Sequence, residues 1–494
     1  MVHTHDSEPT GLQTDLYQLT MAQGYWKLGR AEEEAVFHLG FRKHPFAGAF
    51  AIACGLEQAI DLVEGLGFSE AQRSYLASLV GNDGKALFDA GFLDWLGALR
   101  PTVDIDAMAE GTACFAHEPL LRVRGPLIQC QLLETALLTI INFQTLIATK
   151  AARIAAAAEG DPVLEFGLRR AQGLDGGLSA SRAAYVGGCI GTSNVAAGAR
   201  FGIPVRGTHA HAWVMSFAEE REAFAAYAEA MPNNCVFLVD TYDTLRGVER
   251  AVEIGKELRA RGHEMVGVRL DSGDLATLSL GARKILDAGG FAKAAIVASN
   301  DLDERRIVAL KRAGAAIDVW GVGTRLVTGH DQPALGGVYK LSALRKTGEP
   351  WRRMVKLSDT PIKTSTPGIL QVRRLRRAGA AAMDIVFDEE MGAPSLGAET
   401  SEVASIDPMS DARVTLPTAS EVETEDLLQP ILRGGARVWQ QPASLADVRA
   451  RTLDELAALP EAVRRFDDPE PYPVALEPAL ATLKRELIER MRSV

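Results

Sequence analysis

The central part of the chain repeats one pattern of apolar and polar positions. Between residues 161 and 322, short apolar runs typical of β-strands are each followed by a polar or glycine-rich turn and a segment of helical periodicity. Strands are predicted over 163–168, 203–207, 236–240, 265–271, 295–299 and 318–323, with helices between them such as 244–262 and 275–290. This alternation predicts parallel strands joined by right-handed crossovers.

Six consecutive units of this kind favour an α/β fold built on an irregular (β/α) barrel. A doubly wound open sheet is the alternative that the same pattern allows. The flanks of the chain differ from this centre. They contain a helix-like segment near 16–26, partial alternation over 112–125, a long predicted helix over about 127–158, and strand-like pieces after residue 335.

We therefore expect a second, smaller α/β domain formed by both flanks of the chain. Residues 1–150 are predicted to form its N-terminal part and residues 151–335 the barrel. Residues 336–494 are predicted to complete the flanking domain and to pack on the barrel.

Composition and charge narrow the classes of function. Hydrophobic residues make up 47% of the 494 residues and charged residues 24%, as in ordinary globular proteins, and the formal net charge is −11. An acidic chain has no general attraction to nucleic acid or to anionic membranes, so neither is expected as a partner. The five cysteines form no CxxC pair, and the first residues do not resemble a secretory signal. These features predict a soluble cytoplasmic protein.

Polar residues follow each predicted strand. In a (β/α) barrel the carboxyl ends of all strands open onto one face, where active sites are built. The residues at these ends include Arg169, His209, His211, Asp240, Asp271, Asp274, Ser299, Asn300, Gly321, Gly323 and Thr324. Helix caps explain single polar turns, but six in series with arginine, histidine and carboxylates favour an active site.

The residue types at these ends suit a phosphorylated substrate. Gly321 and Gly323 allow close approach of a phosphate to main-chain N–H groups, and Arg169 offers paired contacts to phosphate or carboxylate. Asp271 and Asp274 are candidate Mg²⁺ ligands, because this ion takes one or two carboxylates together with substrate phosphates. Asp274 directly precedes a helical segment, so helix capping is an equal alternative for it.

His211 lies between a predicted strand and a predicted helix. A lone histidine in an apolar context is often a core residue, but in a connecting segment its imidazole can act as acid, base or nucleophile. His209, two residues earlier, suggests a metal pair. We do not favour zinc, because no third histidine or cysteine lies nearby.

Several longer motifs resemble the nicotinate phosphoribosyltransferase family, and they occur along the whole chain in the expected order. They are TDLYQLTMAQGYW (14–26), FHLGFRKHPF (37–46), EFGLRRAQGLDGGLSAS (165–181), GTSNVAAG (191–198), RGTHAHAWVMSF (206–217), VRLDSGDL (268–275), SNDLDE (299–304), GVGTRLVT (321–328), YKL (339–341) and VKLSD (355–359).

The resemblance implies a type II phosphoribosyltransferase fold and a homodimer whose active sites are shared between subunits. The implied reaction joins nicotinate to 5-phosphoribosyl-1-pyrophosphate and yields nicotinate mononucleotide and pyrophosphate, a step of NAD salvage. It further implies Mg²⁺ and coupled ATP hydrolysis through a phosphohistidine, which is ligase-class chemistry. Positioning and electrostatic stabilisation must dominate such a transfer, because little proton transfer is needed.

Residue by residue, Phe166 resembles the family's ring-stacking aromatic residue, and Tyr17 would be its partner from the neighbouring subunit. Arg169 would lie near the nicotinate carboxylate and the ribose 5-phosphate. Arg269 and Asp271 would face the ribose and the base.

The loop of Gly321, Gly323 and Thr324 would hold the 5-phosphate. His211 matches the histidine that ATP phosphorylates, and Asp240 the carboxylate that orients it.

One residue bears on the choice of base. Relatives that use nicotinamide carry an aspartate where this chain has Ser193. A carboxylate there would repel the nicotinate anion, whereas a hydroxyl can donate a hydrogen bond to it. Ser193 therefore favours nicotinate as the base.

Ser299 and Asn300, which follow the fifth predicted strand, are expected to be further substrate contacts.

Two other functions fit parts of the sequence. A barrel isomerase or aldolase for a phosphorylated sugar shares the strand-end pattern, but none of the six predicted strands ends in the lysine that a Schiff-base aldolase needs. A non-catalytic relative is disfavoured by the intact Arg169, His211, Asp240 and Asp271.

Overall fold

The structure is a computed structural model that describes residues 8–358, 360–409, 412–440 and 444–493. The chain divides into two compact units. The barrel unit comprises Ile147–Pro333 and Ala443–Ala450, and the flank unit comprises Met1–Leu146, Ala334–Pro442 and Arg451–Val494. The flank unit is the larger of the two, so the expectation of a smaller flanking domain is wrong. It is larger because both flanks of the chain fold into it, and its described residues form four separate sheets.

The barrel unit contains six strands, numbered here in chain order. They are β1 Val163–Glu165, β2 Gly191–Thr192, β3 Val236–Leu238, β4 Gly267–Leu270, β5 Ala295–Ala298 and β6 Val319–Val322. All pairs are parallel, and the order across the sheet is β2-β1-β6-β5-β4-β3. The first and last strands are neighbours, so the order is cyclic as in a barrel. A doubly wound sheet does not have this order.

The predicted strand over 203–207 contributes only one bridge, between Val205 and Thr192 of β2. Pro204 has no N–H to donate to a ladder, and its carbonyl accepts the N–H of Thr192 at 3.0 Å. β2 was not predicted, because two residues are too short for an apolar run. The described residues thus form an irregular barrel, which confirms the predicted fold class. The barrel is interrupted between β2 and β3.

Helices follow the strands. In the barrel unit they are Gly173–Val186, Val195–Phe201, His211–Met215, Glu220–Ala230, Thr244–Ala260, Leu275–Ala288, Glu304–Arg312 and Thr324–Val327, with a 3₁₀ turn at Leu168–Arg170. Four of them begin at a side chain that accepts a hydrogen bond from the first turn, namely Asn194, Asp243, Asp274 and Asp303.

The flank unit contains a seven-stranded sheet of Arg352–Arg353, Gly337–Arg345, Glu34–Phe41, Pro119–Pro126, Asp104–Ala107, Gln429–Arg433 and Ala436–Arg437, in that order. A second sheet orders Glu423–Asp426, Leu370–Arg377, Ala380–Asp388 and Val474–Leu476. Two smaller sheets pair Ser401–Ala404 with Arg413–Leu416, and Ala51–Ile52 with Ala113–Cys114.

The remaining helices are Leu16–Lys27, Leu56–Glu64, Glu70–Ala77, Ala90–Ala98, Leu127–Leu132, Glu134–Ala157, Leu445–Ala458, Glu461–Arg464 and Pro478–Arg492, with 3₁₀ turns at Thr10–Leu12, Pro45–Ala47, Pro361–Lys363 and Ala419–Glu421. Among the described residues, none of the helices has the length and apolar character needed to span a bilayer.

Candidate active site

A cavity of about 620 Å³ opens at the carboxyl ends of the barrel strands. Most of the predicted site residues line it. They are Phe166, Arg169, Ser193, Arg269, Asp271, Ser299, Asn300, Gly321, Gly323 and Thr324. They come from the ends of β1, β2, β4, β5 and β6, which is how a parallel barrel converges distant segments on one site.

The Phe166 ring packs directly on the β6 backbone. The N–H of Phe166 donates to the carbonyl of Val322 at 2.8 Å, which extends the β1–β6 pairing by one step. A Cβ placed on Gly321 would lie 2.8 Å from the Phe166 ring. A Cβ on Gly323 would lie 3.2 Å from the Phe166 carbonyl oxygen. Because Gly321 and Gly323 have no side chains, Phe166 can pack directly against the backbone of the glycine loop.

Arg269 is held beside the cavity by a neighbouring loop. Its guanidinium donates to the hydroxyl of Thr208 at 3.1 Å, and its Nε has no hydrogen-bond partner. Burial lowers the pKa of Arg269, and the nearby Asp271 and Asp240 act in the opposite direction. The group remains a cation, and a buried nitrogen without a partner favours an anionic ligand.

Asp271 is oriented by β5. The Ser299 hydroxyl donates to Asp271 Oδ1, and the following residues Asn300 and Asp301 have positive φ values of 82° and 42°. Left-handed backbone at two consecutive non-glycine residues is strained and is typical of functional sites. Both residues line the cavity.

The resemblance implies that Asp240 orients His211, but no hydrogen bond joins these two side chains among the described contacts. His211 Nδ1 lies 3.1 Å from the Thr241 hydroxyl, and His211 Nε2 lies 3.8 Å from Asp271 Oδ2. Asp240 Oδ2 instead accepts the N–H of Asp271 at 2.9 Å and the hydroxyl of Ser272 at 2.6 Å. The β3 end therefore acts on the imidazole through Thr241, while Asp240 shapes the loop after β4.

Three family models match the chain in sequence. A nicotinate phosphoribosyltransferase N-terminal domain matches residues 12–142, the nicotinate phosphoribosyltransferase family model matches 162–382, and a C-terminal domain of the same enzyme matches 371–484. The Bacillus subtilis nicotinate phosphoribosyltransferase is 42% identical over 487 residues, which is 98% of this chain and 96% of that protein. The chain belongs to the nicotinate phosphoribosyltransferase family.

Other members of the family agree in sequence and in structure. The Homo sapiens nicotinate phosphoribosyltransferase is 36% identical over 539 residues, covering 96% of each protein. The crystal structure of human nicotinic acid phosphoribosyltransferase superposes with a TM-score of 0.82 at 34% identity, over 96% of this chain and 99% of that one. A nicotinate-nucleotide pyrophosphorylase from Pyrococcus furiosus shares the fold, with a TM-score of 0.67 at 22% identity over 93% and 99% of the two chains. These matches confirm the type II phosphoribosyltransferase fold.

Four of the predicted site residues are not among those that line the cavity, namely Tyr17, His211, Asp240 and Asp274. Tyr17 belongs to the flank unit, in the first turn of helix Leu16–Lys27, and is 47% exposed. Its stacking on Phe166 stays a prediction. Asp274 caps its helix, where its carboxylate accepts from the Ala276 N–H at 3.2 Å and the Thr277 hydroxyl at 2.6 Å.

Among the described residues, no group of three or more histidine, cysteine or acidic side chains is arranged to hold a metal ion. The cap favours a structural role for Asp274, so that of the two predicted Mg²⁺ ligands Asp271 is the one that lines the cavity.

Several cavity residues have no predicted substrate contact. They are Leu168, Arg170, Leu174, Gly207, Thr208, Ala210 and Asp301, together with His209, which the sequence suggests only as part of a metal pair. All of them lie within the quoted family motifs, most of them beside a predicted residue.

His209 has a structural part as well. Its Nε2 accepts the N–H of Leu238 at 3.3 Å, and this bond spans the interruption between the Val205 segment and β3.

Proposed function

We propose that this protein catalyses the transfer of the 5-phosphoribosyl group to nicotinate, with pyrophosphate as the leaving group. One observation carries the proposal. A single cavity combines an aromatic ring at Phe166, arginines at positions 169, 170 and 269, and a glycine-lined loop at Gly321 and Gly323. This set suits a planar anionic base beside a sugar phosphate. The family's named activity is the same.

The base is held by its ring and by its charge. In the proposed complex the pyridine ring stacks on Phe166, and Arg169 or Arg269 pairs with the nicotinate carboxylate. Ser193 lines the same cavity with a hydroxyl that can donate to this carboxylate. No carboxylate occupies the Ser193 position, which favours the acid over the amide.

The transfer step needs positioning more than proton transfer. The pyridine nitrogen attacks C1 of the ribose, the C1–O bond to pyrophosphate breaks, and positive charge develops on the sugar. Asp271 lies at the cavity with its carboxylate fixed by Ser299, so it can stabilise that charge. Gly323 and Thr324 begin the short helix Thr324–Val327, whose first N–H groups can bind the 5-phosphate.

Mg²⁺ is expected to accompany the pyrophosphate. Asp271 offers one carboxylate at the cavity, and one carboxylate together with substrate phosphates is an ordinary arrangement for this ion. Bound there, the ion would neutralise charge on the departing pyrophosphate.

ATP hydrolysis is proposed to be coupled to the transfer through His211, which gives the enzyme its ligase character. The imidazole is 40% exposed on its side chain and is held at Nδ1 by the Thr241 hydroxyl, so it is accessible and oriented. In the proposed step a ring nitrogen of His211 attacks the γ-phosphorus of ATP, and the bond to the β–γ bridging oxygen breaks as ADP leaves. Water later hydrolyses the phosphohistidine and releases inorganic phosphate.

The protein is proposed to act as a homodimer with shared active sites. Large apolar side chains stand exposed on loops and helix starts after the barrel strands, namely Leu174 at 85%, Val195 at 70% and Tyr242 at 64%. In the flank unit, helix Leu16–Lys27 exposes Leu16 at 53% and Tyr17 at 47%. We propose that a second copy of the chain covers these side chains. A partner's Tyr17 reaching Phe166 would cover apolar surface from both copies.

A place in cytoplasmic NAD salvage follows from the proposed reaction. All five cysteines are free thiols, and each is buried. Free thiols suit a reducing compartment.

A product assay tests the proposed function. The enzyme is incubated with 5-phosphoribosyl-1-pyrophosphate and Mg²⁺ together with nicotinate, nicotinamide or quinolinate, each with and without ATP. Nicotinate mononucleotide is expected from nicotinate, faster with ATP and with ADP released in proportion. Equal turnover of nicotinamide would overturn the choice of base. Calorimetric binding of nicotinate without any product would indicate a non-catalytic relative.

A further inference from the structure

Glu165 is a fully buried carboxylate directly behind the proposed base site. It is the last residue of β1 and precedes Phe166, with 0% of its surface exposed. Its Oε1 accepts the N–H of Gly167. Its Oε2 accepts the hydroxyls of Ser181 at 2.8 Å and Thr192 at 2.5 Å.

The side-chain donors to Glu165 are two hydroxyl groups, those of Ser181 and Thr192. A buried carboxylate is costly unless several donors point at it. A buried carboxylate imposes a fixed geometry on its donors. An apolar side chain of similar size would fill the same space without the cost of desolvation, so the carboxylate at this position points to a need for that geometry.

The donors themselves are aligned by Asn194. Its N–H donates to the Thr192 hydroxyl at 2.9 Å, and its side-chain amide donates to the Ser181 hydroxyl at 3.1 Å. Both hydroxyl oxygens thereby accept a hydrogen bond, and each keeps one proton to donate. The Ser181 proton has two acceptors within reach, Glu165 Oε2 and the Gly177 carbonyl at 2.9 Å. The Thr192 proton points at Glu165 Oε2, so the Thr192 hydroxyl is the donor that requires an acceptor at position 165.

The network connects the two walls of the base site. On one wall, the carboxylate holds the N–H of Gly167, next to Phe166. On the other wall it holds Thr192, while the backbone carbonyl of Glu165 accepts the N–H of Ser193 at 2.9 Å. Phe166 and Ser193 both line the cavity. One buried residue therefore hydrogen-bonds both the segment that carries the Phe166 ring and the segment that carries the Ser193 hydroxyl.

We propose that Glu165 is the positioning residue that sets the spacing between Phe166 and Ser193 and thereby determines affinity for the pyridine carboxylate. The inference rests on the proposed function, because it assigns the base to these two walls. Glu165 contacts no substrate in this arrangement. It acts through the loops that do, in the way that supporting hydrogen bonds preorganise a site.

Glu165→Gln tests the acceptor requirement at constant volume. The amide NH₂ would meet an N–H or a hydroxyl donor in place of an acceptor, so at least one wall must shift. We expect the KM for nicotinate to rise about tenfold or more, equivalent to about 1.4 kcal/mol. The KM for 5-phosphoribosyl-1-pyrophosphate is expected to stay within about twofold.

Thr192 supplies a second, independent pair of variants. Thr192→Val removes one donor and is expected to raise the nicotinate KM in the same direction, whereas Thr192→Ser keeps the hydroxyl and is expected to restore it. If Glu165→Gln does not fold, these two variants decide the question.

Ser279→Ala is the matched control for a general loss of stability. Ser279 is buried in the barrel unit, donates to the Ala276 carbonyl and accepts the Ala316 N–H, and is outside the cavity lining. It should lower the melting temperature without changing the nicotinate KM.

A lowered melting temperature with an unchanged nicotinate KM in Glu165→Gln or Thr192→Val would overturn the inference and leave these residues a structural role. Failure of the proposed function looks different, since the wild-type enzyme would then form no mononucleotide. In that case the Kd for nicotinate, measured by calorimetry on the wild type and the same variants, replaces KM as the readout.

Discussion

His211 Nε2 faces Asp271 Oδ2 across 3.8 Å, and these two side chains come from segments sixty residues apart. Asp271 also lines the cavity, whereas His211 stands just outside the lining residues. The carboxylate is thus the group between the imidazole and the proposed sugar site. A phosphoryl group on the imidazole would repel the Asp271 carboxylate. Phosphorylation of His211 would therefore change the electrostatic potential at the proposed ribose site through Asp271.

His211→Ala is expected to abolish stimulation by ATP while basal transfer persists, because the cavity residues that hold both substrates remain. ADP release and mononucleotide formation measured together check this. His263→Ala is the control, since His263 lies before β4 at the opposite end of the strands and bonds Asn233. Full ATP coupling in His211→Ala would remove this histidine from the mechanism.

Ser193→Asp is expected to weaken the binding of nicotinate more than the binding of nicotinamide. A carboxylate at this position adds like charge beside the substrate carboxylate, so the nicotinate KM should rise about tenfold or more. The amide has no charge to repel. Paired kcat/KM values for the two bases check the ratio, and Ser193→Ala separates loss of the hydroxyl from added charge. An unchanged ratio in Ser193→Asp would mean that this position does not contact the base.

Gly321→Ala is expected to displace the Phe166 ring. The added methyl would lie 2.8 Å from the ring in a buried strand, so either the ring or β6 must move at a cost of about 1–3 kcal/mol. We expect a higher nicotinate KM and a lower melting temperature.

Gly176→Ala is the control for Gly321→Ala. Gly176 lies within helix Gly173–Val186, and its added methyl would meet nothing within 4 Å. This variant should be neutral or more stable by up to about 1 kcal/mol. A fully active Gly321→Ala enzyme would contradict the packing argument.

His209 is expected to make the barrel sensitive to acid. Burial lowers its pKa to about 4, and the nearby Arg269 acts in the same direction. The Nε2 atom of the ring also accepts the Leu238 N–H. The folded protein favours the neutral imidazole, so this contribution to stability is complete above the ordinary pKa of about 6.5 and is lost as the pH falls toward 4.

His209→Gln cannot take up a proton. Its melting temperature should be lower than that of the wild type at pH 7.5 but fall less steeply between pH 6.5 and 4.5. Parallel curves for the two proteins would show that His209 does not titrate in this window. His263→Gln, on an exposed loop, serves as the matched control.

The hydrophobic pattern located most of the barrel correctly. Strands β1 and β3 to β6 lie within the predicted runs, because a buried parallel strand must be apolar on both faces. β2 is not predicted, since two residues carry no pattern. The strand predicted over 203–207 is reduced to a single bridge, because Pro204 interrupts its ladder. The size of the flank unit was also misjudged, since its later strands are short and partly polar.

By itself, the sequence determined the barrel class, the strand ends that carry the chemistry, and the family. These three conclusions depend on residue types and on their spacing along the chain, and both can be read from the sequence without knowing which segments are neighbours in space. Only the tertiary structure decided that Thr241 rather than Asp240 holds His211, and that Asp271 faces its other nitrogen. The partner of a polar side chain depends on which strands are neighbours, and β3 and β4 are adjacent. The same reason kept Glu165 hidden, because its donors come from a helix and a strand that become neighbours only when the barrel forms.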